Sequence, residues 1–553
     1  MKRHDIIRIL ALTGFLFAGS SFAAFSQDMA NFTAGLEGKY PGLTVLRTDA
    51  MPGSGSARMM IRGIGSYAQG VDVNTLKIFV DGFEVKSDYI NYMSPEEIES
   101  VTICKNAADL ALYGMNGANG VIFITTKRGT ESAPVITFKT RGGVQMPINI
   151  AKPLGSYDYA RLYNQAWSND HGREWDPYYD FEVMNEYKAG NGVDVDWYDE
   201  VFKRTAAYGE GTLSMRGGTQ NAKYNIVLDY ANQQGFLNVQ NNDRTHNVSF
   251  AKYGVRTNLD MKLNDILSVG VDIGGRLEDR SRPNYSVYQL VNDVMSYPAN
   301  VYPVFDELAT DPISKFSGTS VHPNNPVGSL TGLGWTTSRT KVLQANFKFK
   351  EDLGFLLKGL YLQEGFSFYS KTIGNTAKTR TYARYIDGVP QTSDVSTYIR
   401  SNGYSSSGKE RWMQGNVILG WNADFDLSKL DATLGAHISD YNGNGSSFYN
   451  WKYRYINYTA RAAYSYDNRY DAAVGLSLFG SDAYAPGKRY VLYPTVSFGW
   501  TASNEDFLKG SNAVKLLRIR TSAGFSGATE AYVGIDGFQT DGRYLYQQYY
   551  TWT

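Results

Sequence analysis

From about residue 134 onward, apolar and polar residues alternate with a period of two over long stretches. In VRTNLDMKL, Val255, Thr257, Leu259, Met261 and Leu263 fall on one face, and Arg256, Asn258, Asp260 and Lys262 on the other. LQANFKFK (343–350) sets Leu, Ala, Phe and Phe against Gln, Asn, Lys and Lys, and KYNIVLDYA (223–231) groups Tyr224, Ile226, Leu228 and Tyr230. YTARAAYSY (458–466) and LRIRTSAGF (517–525) repeat the pattern. Successive side chains of a strand point to opposite faces, so this period predicts strands, roughly thirteen of them after Pro134. A soluble sandwich alternates with its apolar face inward, and a membrane barrel with its apolar face outward. Charges recur in mid-strand on the polar face (Arg256, Asp260, Lys262, Arg461, Arg518, Arg520), and Tyr458, Tyr466 and Trp500 stand near segment ends as a girdle would. Both features favour the barrel. Short connections at 262–266, 350–354 and 466–469 suit its periplasmic side, and the long ones at 147–207 and 280–337 its outer side.

The residues before this region have a different texture. LKIFVDGFEV (76–85) reads as a strand broken by a turn at Asp81-Gly82. In SPEEIESVTICK, Ser94 ahead of Pro95, Glu96 and Glu97 predicts a helix start. NAADLALYG (106–114) reads as a second short helical piece closing on a glycine, and VIFITTK (121–127) as a strand. Between them, Gly114, Gly117 and Gly120 allow tight turning and close backbone approach. The spacing is neither G-x-G-x-x-G nor a P-loop. Together these segments predict a small α+β domain over 27–133. Ahead of it, Lys2, Arg3 and His4 precede an apolar run from Ile9 to Ala18 and a small-x-small site at Ala24-Phe25-Ser26, the pattern of a secretory signal peptide over 1–26.

Composition narrows the function classes. The 54 basic and 54 acidic residues balance, which gives no footprint for nucleic acid. Cys104 is the single cysteine, so no internal disulfide forms, and its apolar flanks predict a buried small hydrophobe. The histidines (His4, His171, His246, His322, His437) have no metal spacing, and no cofactor signature stands out. Neither G-x-S-x-G nor H-E-x-x-H occurs, so an enzyme is not expected. DVDWYDE (194–200) is acidic but lacks the spacing of a calcium loop. The aromatic stretch 173–187 would suit stacking on sugar rings, and equally packing of the loop on itself.

The block EIESVTICKNAADLALYGMNGANGVIFITTKRG (97–129) resembles the plug domain of SusC/RagA-like TonB-dependent outer-membrane transporters. MIRGIGS (60–66) and IFVDGFEV (78–85) resemble further plug motifs, DWYDEVFK (196–203) and KYNIVLDYANQQGFL (223–237) the early barrel, and 493–509 with 516–530 a later part of it. The resemblance marks Arg62, Gly63, Asp81, Gly82, Tyr113, Gly114, Gly117, Asn119, Gly120, Lys127 and Gly129 as plug-motif residues of structural role. It implies a transmembrane antiparallel β-barrel over 134–553 with an N-terminal α+β plug, placed in the bacterial outer membrane among its lipids. It implies import of glycans, oligosaccharides or peptides, a SusD-like surface lipoprotein as lid, and energy from TonB.

Two features depart from that pattern. QDMANFTAGLEGKY (27–40) runs straight into plug-like sequence with no recognisable TonB box, which sets TonB coupling in question. Plugged transporters of this kind have about twenty-two strands, and roughly thirteen are legible here. The expectation is a truncated or split member whose barrel is incomplete, and the alternative to import is that it does not transport alone and acts as a surface or interaction protein or a relic.

Overall fold

The computed structural model of the chain describes residues 32–47, 51–53, 57–63, 76–91, 93–105, 110, 117, 119–147, 153–172, 176–239, 247–310, 315–391, 405–444, 450–527, 533–535 and 538–540. The expected leader over 1–26, nearly all of the expected helix at 106–114, and Tyr113 and Gly114 lie outside these residues.

The N-terminal unit starts with a hairpin of β1 (Leu43–Arg47) and β2 (Ala57–Ile61). A four-stranded sheet follows, made of β3 (Lys77–Val80), β4 (Phe83–Val85), β5 (Ile98–Cys104) and β6 (Val121–Thr126) in the order β4-β3-β6-β5. β3 runs parallel to β6, and the other pairs are antiparallel. Asp81 and Gly82 make the β3–β4 turn with φ of 51° and 96°, the left-handed pair that a two-residue hairpin of native twist needs. Short helix α1 (Ser87–Asn91) follows β4. Ile78, Val80, Ile90, Ile122 and Ile124 form the dry centre of this unit.

The helix expected from Ser94 is only one 3₁₀ turn, Pro95–Glu97. Its capping box is complete: Ser94 Oγ accepts from the Glu96 N–H at 3.3 Å, and Glu97 Oε1 accepts from the Ser94 N–H at 3.2 Å. The next residues, IESVTIC, are β-branched at alternate and adjacent positions and pair with β6, so sheet formation overrides the helix signal. Cys104, expected to be buried, is half-exposed at the end of β5, beside the cluster of Phe79, Leu110 and Val121.

The second unit is one antiparallel sheet of 13 strands in chain order. They are β7 (Ser132–Gln145), β8 (Ala206–Gly218), β9 (Ala222–Gln234), β10 (Ser249–Lys262), β11 (Leu267–Pro283), β13 (Gly334–Asp352) and β14 (Leu360–Thr379), then β17 (Ser405–Phe425), β18 (Ser428–Asn444), β19 (Asn450–Tyr466), β20 (Tyr470–Ser481), β21 (Tyr490–Thr501) and β22 (Arg518–Gly524). Small pieces β12 (Phe316–Ser317), β15 (Arg384–Ile386) and β16 (Val389–Pro390) form a separate sheet in the long connections, and β23 (Val533–Ile535) pairs with β24 (Phe538–Thr540). Among the described residues, β7 and β22 each lack a neighbour on one side, so the sheet is not closed.

The faces of this sheet settle the choice between sandwich and barrel. Leu228, Leu343, Phe347, Leu434, Val474 and Val496 stand exposed on one face, while Arg256, Asn258, Asp272, Gln344, Asn346 and Gln414 are buried on the other. This reverses a soluble sheet: apolar side chains face out and polar ones face the N-terminal unit, as in a barrel wall carrying a plug. No described helix is long and apolar enough to cross a membrane. Tyr464, Tyr466 and Tyr470 give an aromatic rim at the short-turn end, whereas Tyr458, expected near a segment end, sits in the middle of β19.

Short turns gather at one end of the wall, and the chain crosses from plug to wall at that end, where Gly129 lies against the start of β9. The long connections gather at the other. They carry α2 (Ser156–His171), α3 (Phe181–Ala189), α4 (Trp197–Val201), α5 (Val287–Ser296) and α6 (Pro326–Gly332). Trp197, Leu290, Val294 and Leu330 pack α4, α5 and α6 into one dry cluster. Asp196 caps α4 by accepting from the N–H groups of Tyr198 and Asp199 at 3.0 and 3.1 Å. The acidic run around it is thus a helix start, and no metal-holding group of His, Cys, Asp or Glu occurs among the described residues. Tyr163, Trp167, Tyr178 and Tyr179 pack on one another between α2 and α3, with centroids 4.8–5.8 Å apart.

Candidate functional site

The surface between plug and wall is polar, and Arg256 is at its buried centre. It projects inward from β10 and is 2% exposed. Its Nη1 donates to the Tyr89 hydroxyl at 2.9 Å, and its Nη2 to Asp81 Oδ2 at 3.3 Å. Glu97 lies 3.9 Å away. Asp81 is also held by Thr126, whose N–H and hydroxyl donate to it at 2.9 and 2.6 Å. Burial pushes the Asp81 carboxyl up, but Lys348, Arg256 and Thr126 outweigh it and hold it below the usual range. Glu97 goes the other way: burial, with Asp229 adding to it, raises its carboxyl against the pull of Arg256.

The plug-to-wall crossing is fixed beside this centre. Asn258 donates to the Thr126 hydroxyl at 2.9 Å and to the Lys127 carbonyl at 2.8 Å. Arg128 pairs with Asp260, its Nε 2.9 Å from Oδ2, and with Asp272, which Lys348 also meets at 2.9 Å. Lys127 and Lys139 share Glu96 at 3.4 and 2.7 Å. A Cβ on Gly129 would lie 2.2 Å from the backbone nitrogen of Tyr224, so only glycine lets the crossing run against β9.

On the far side of the plug, β17–β19 meet the β3–β4 hairpin. Gln414 accepts from the Glu84 N–H at 3.0 Å and donates to the Glu84 carbonyl at 2.8 Å. Tyr455 donates to the Glu84 carboxylate at 2.5 Å, and Lys77 pairs with it at 3.1 Å. Lys86 reaches Glu410 at 3.0 Å and Tyr441 at 2.6 Å, and Lys371 pairs with Asp88. Beside the hairpin is a cavity of about 650 Å³, lined by Phe79, Gly82 and Phe83 from the plug and by Asn416, His437 and Asn457 from the wall.

The residues marked in the sequence fall into two groups. Asp81, Gly82, Lys127 and Gly129 stand at this interface. Arg62 and Gly63 lie in an exposed turn with φ of 61° and 87°, away from it. Gly117 and Gly120 serve close packing inside the plug: a Cβ would meet the Leu110 carbonyl oxygen at 2.5 Å and Ile61 Cδ1 at 2.7 Å, and Gly120 has φ of 93°. Asn119 is half-buried beside them. Not singled out from the plug side were Glu84 and Arg128, nor Gln414 from the wall. Their sequence signal is only a polar residue at an inward position.

Residues 25–121 match the TonB-dependent receptor plug domain family. The chain is 25% identical over 546 residues to the TonB-dependent receptor SusC of Bacteroides thetaiotaomicron, covering 91% of this chain and 50% of that protein. It is 24% identical over 577 residues to the TonB-dependent receptor P26 of Formosa agariphila, covering 96% and 52%. The chain therefore spans about half the length of these relatives. The RagAB peptide importer in its open-open state shares the fold with a TM-score of 0.69 at 20% identity, over 91% of this chain and 58% of that one. Its closed-closed state gives 0.68 at 19%, over 93% and 61%.

Proposed function

We propose that this SusC/RagA-like chain serves TonB-dependent nutrient import across the outer membrane. The plug match and the SusC and P26 relatives bear out the resemblance read from the sequence, and with it an outer-membrane location. Those relatives are receptors rather than enzymes. The observation that carries the reading is the inverted wall: apolar residues exposed outward, and charged ones turned onto the plug. Oligosaccharides or peptides are the cargo, a SusD-like lipoprotein is the outer lid, TonB supplies the force, and residues 1–26 direct export. The plug moves and the wall stays rigid.

A second reading is favoured by the unpaired sides of β7 and β22 among the described residues. An open sheet cannot stand in lipid, because its edge N–H and C=O groups would be unsatisfied. On this reading the chain transports only when further strands close the wall. Growth of a deletion strain on separate oligosaccharide and peptide panels tests import and assigns the cargo. Normal growth and uptake on both would overturn the import reading.

A further inference from the structure

The plug is held differently on its two sides. Toward β10–β13 it is fixed by charge-assisted bonds through Arg256 and Arg128 and by Asn258. Toward β17 the backbone of its β3–β4 hairpin hangs on a neutral side-chain amide, and the Glu84 carboxylate accepts from the Tyr455 hydroxyl at 2.5 Å. β4 is the edge of the plug sheet. Pairs Ile78–Val85 and Val80–Phe83 flank the pair Phe79–Glu84. In a two-residue hairpin the pair closing the turn exchanges its hydrogen bonds, so the next pair turns its backbone groups outward. Gln414 takes both outward groups of Glu84, at 3.0 and 2.8 Å, where a further strand would otherwise pair.

Next to it the wall makes room for the hairpin. A Cβ on Gly365 would lie 2.8 Å from Phe83 Cζ. Beside Phe83 is the 650 Å³ cavity, where Asn416 Oδ1 is shut from solvent with no hydrogen-bond partner. The ion pairs nearby, Lys86–Glu410 and Lys371–Asp88, join side chains just beyond the hairpin, whereas Gln414 grips its backbone.

We propose that Gln414 is a latch on the plug's edge strand, and that the plug opens first by lifting the β3–β4 hairpin from β17 into this cavity while hinging on its Arg256 and Arg128 side. The inference rests on the import reading. Opening begins at the hairpin because the cavity gives it somewhere to go, and the Gln414 contact is the grip on the edge strand's backbone that must break. Gln414 is a positioning residue. The cavity that its release enlarges is lined by aromatic rings and amides together with the charged groups of Asp81, Arg128, Lys348, Asp431 and Arg461.

The test uses the full-length protein in isolated outer membranes with Cys104→Ser and Ser439→Cys. Ser439 faces inward opposite Gln414 in the β17–β18 register and is fully buried. Its thiol should react with a polar maleimide only when the hairpin lifts. Gln414→Leu removes both bonds and is expected to speed labelling about tenfold or more. Gly365→Leu, which crowds Phe83 with Gln414 intact, should act in the same direction. Lys139→Ala, on the opposite side, should leave the rate within about twofold. An unchanged rate in Gln414→Leu and Gly365→Leu overturns the latch, as does equal acceleration by Lys139→Ala. Labelling reports the plug and not the cargo. Normal nutrient uptake in a deletion strain therefore overturns the import reading while the latch result stands.

Discussion

Replacing Arg256 with methionine removes the centre of plug docking while keeping most of the side-chain volume. The loss has two parts. The guanidinium donates to the Tyr89 hydroxyl at 2.9 Å and to Asp81 at 3.3 Å. A hydrogen bond to a charged group is worth about 1.5–3 kcal/mol. Breaking a buried pair from one side generally costs about 3–5 kcal/mol, because the partner charge is stranded. Here the stranding is incomplete, since Asp81 keeps both bonds from Thr126 and Lys348 remains a nearby charge. The expected cost is therefore at the lower end, about 3 kcal/mol of docking. Asp81→Asn in the same chain should return part of it, because the amide keeps both Thr126 contacts with no charge to strand. Asparagine also suits the left-handed turn position at φ 51°. Hydrogen exchange of β3 and β6 amides in the detergent-solubilised protein reads the docking energy directly. The Arg256→Met protein should exchange there about a hundredfold faster, and the double variant more slowly than the single one. Equal protection in Arg256→Met and the parent, or no recovery in the double variant, would refute the reasoning.

Four further outcomes follow from the same geometry. Gly120→Ala places a Cβ 2.7 Å from Ile61 Cδ1 at φ 93°, and should cost about 1–3 kcal/mol in plug stability by denaturant titration. The Glu97 carboxyl is raised, so its contribution to stability is fully present below the ordinary glutamate pKa and lost as pH rises through its folded value. Glu97→Gln should thus stabilise the plug at neutral pH, with the gain vanishing on acidification. Asp81 is depressed, so its contribution is present above the ordinary aspartate pKa and lost as pH falls through its folded value. Acid should then loosen the parent plug more than the Asp81→Asn one. Leu434 faces outward near the middle of β18, and Leu434→Arg should cost about 2–4 kcal/mol in lipid vesicles, with inward Thr433→Arg costing less.

The wall was legible in the sequence because a period of two needs only side-chain polarity. Val255 and Arg256 alternate in the text as they do in space, and the strand number read from alternation agrees with the 13 observed. Asp81-Gly82 was legible for a similarly local reason, since the turn fixes its own residue types. The helix expected at Ser94 failed because its local signal was sound but short. A complete capping box started one turn, and the pairing of Ile98–Cys104 with β6, a partner distant in sequence, took the chain back into a strand. Capping chemistry sets where a helix can begin and says little about how far it runs when a sheet edge competes.

The interface was harder to read for a physical reason. Alternation says that Gln414 and Arg256 both face inward, but it does not distinguish a residue that lines open space from one that grips the plug. Glu84 and Gln414 are separated by 330 residues, and the contact uses the backbone of one partner, so no side-chain pattern announces it. The charges at Arg256 and Asp260 could be noticed because a mid-strand charge is costly in an ordinary sheet and demands a partner. A neutral glutamine makes no such demand. The parts of the interface visible in the sequence are therefore the mid-strand charges of the wall. Glu84, Arg128 and Gln414 were hidden, because in the sequence each looks like any polar residue at an inward position, whatever it grips in the fold.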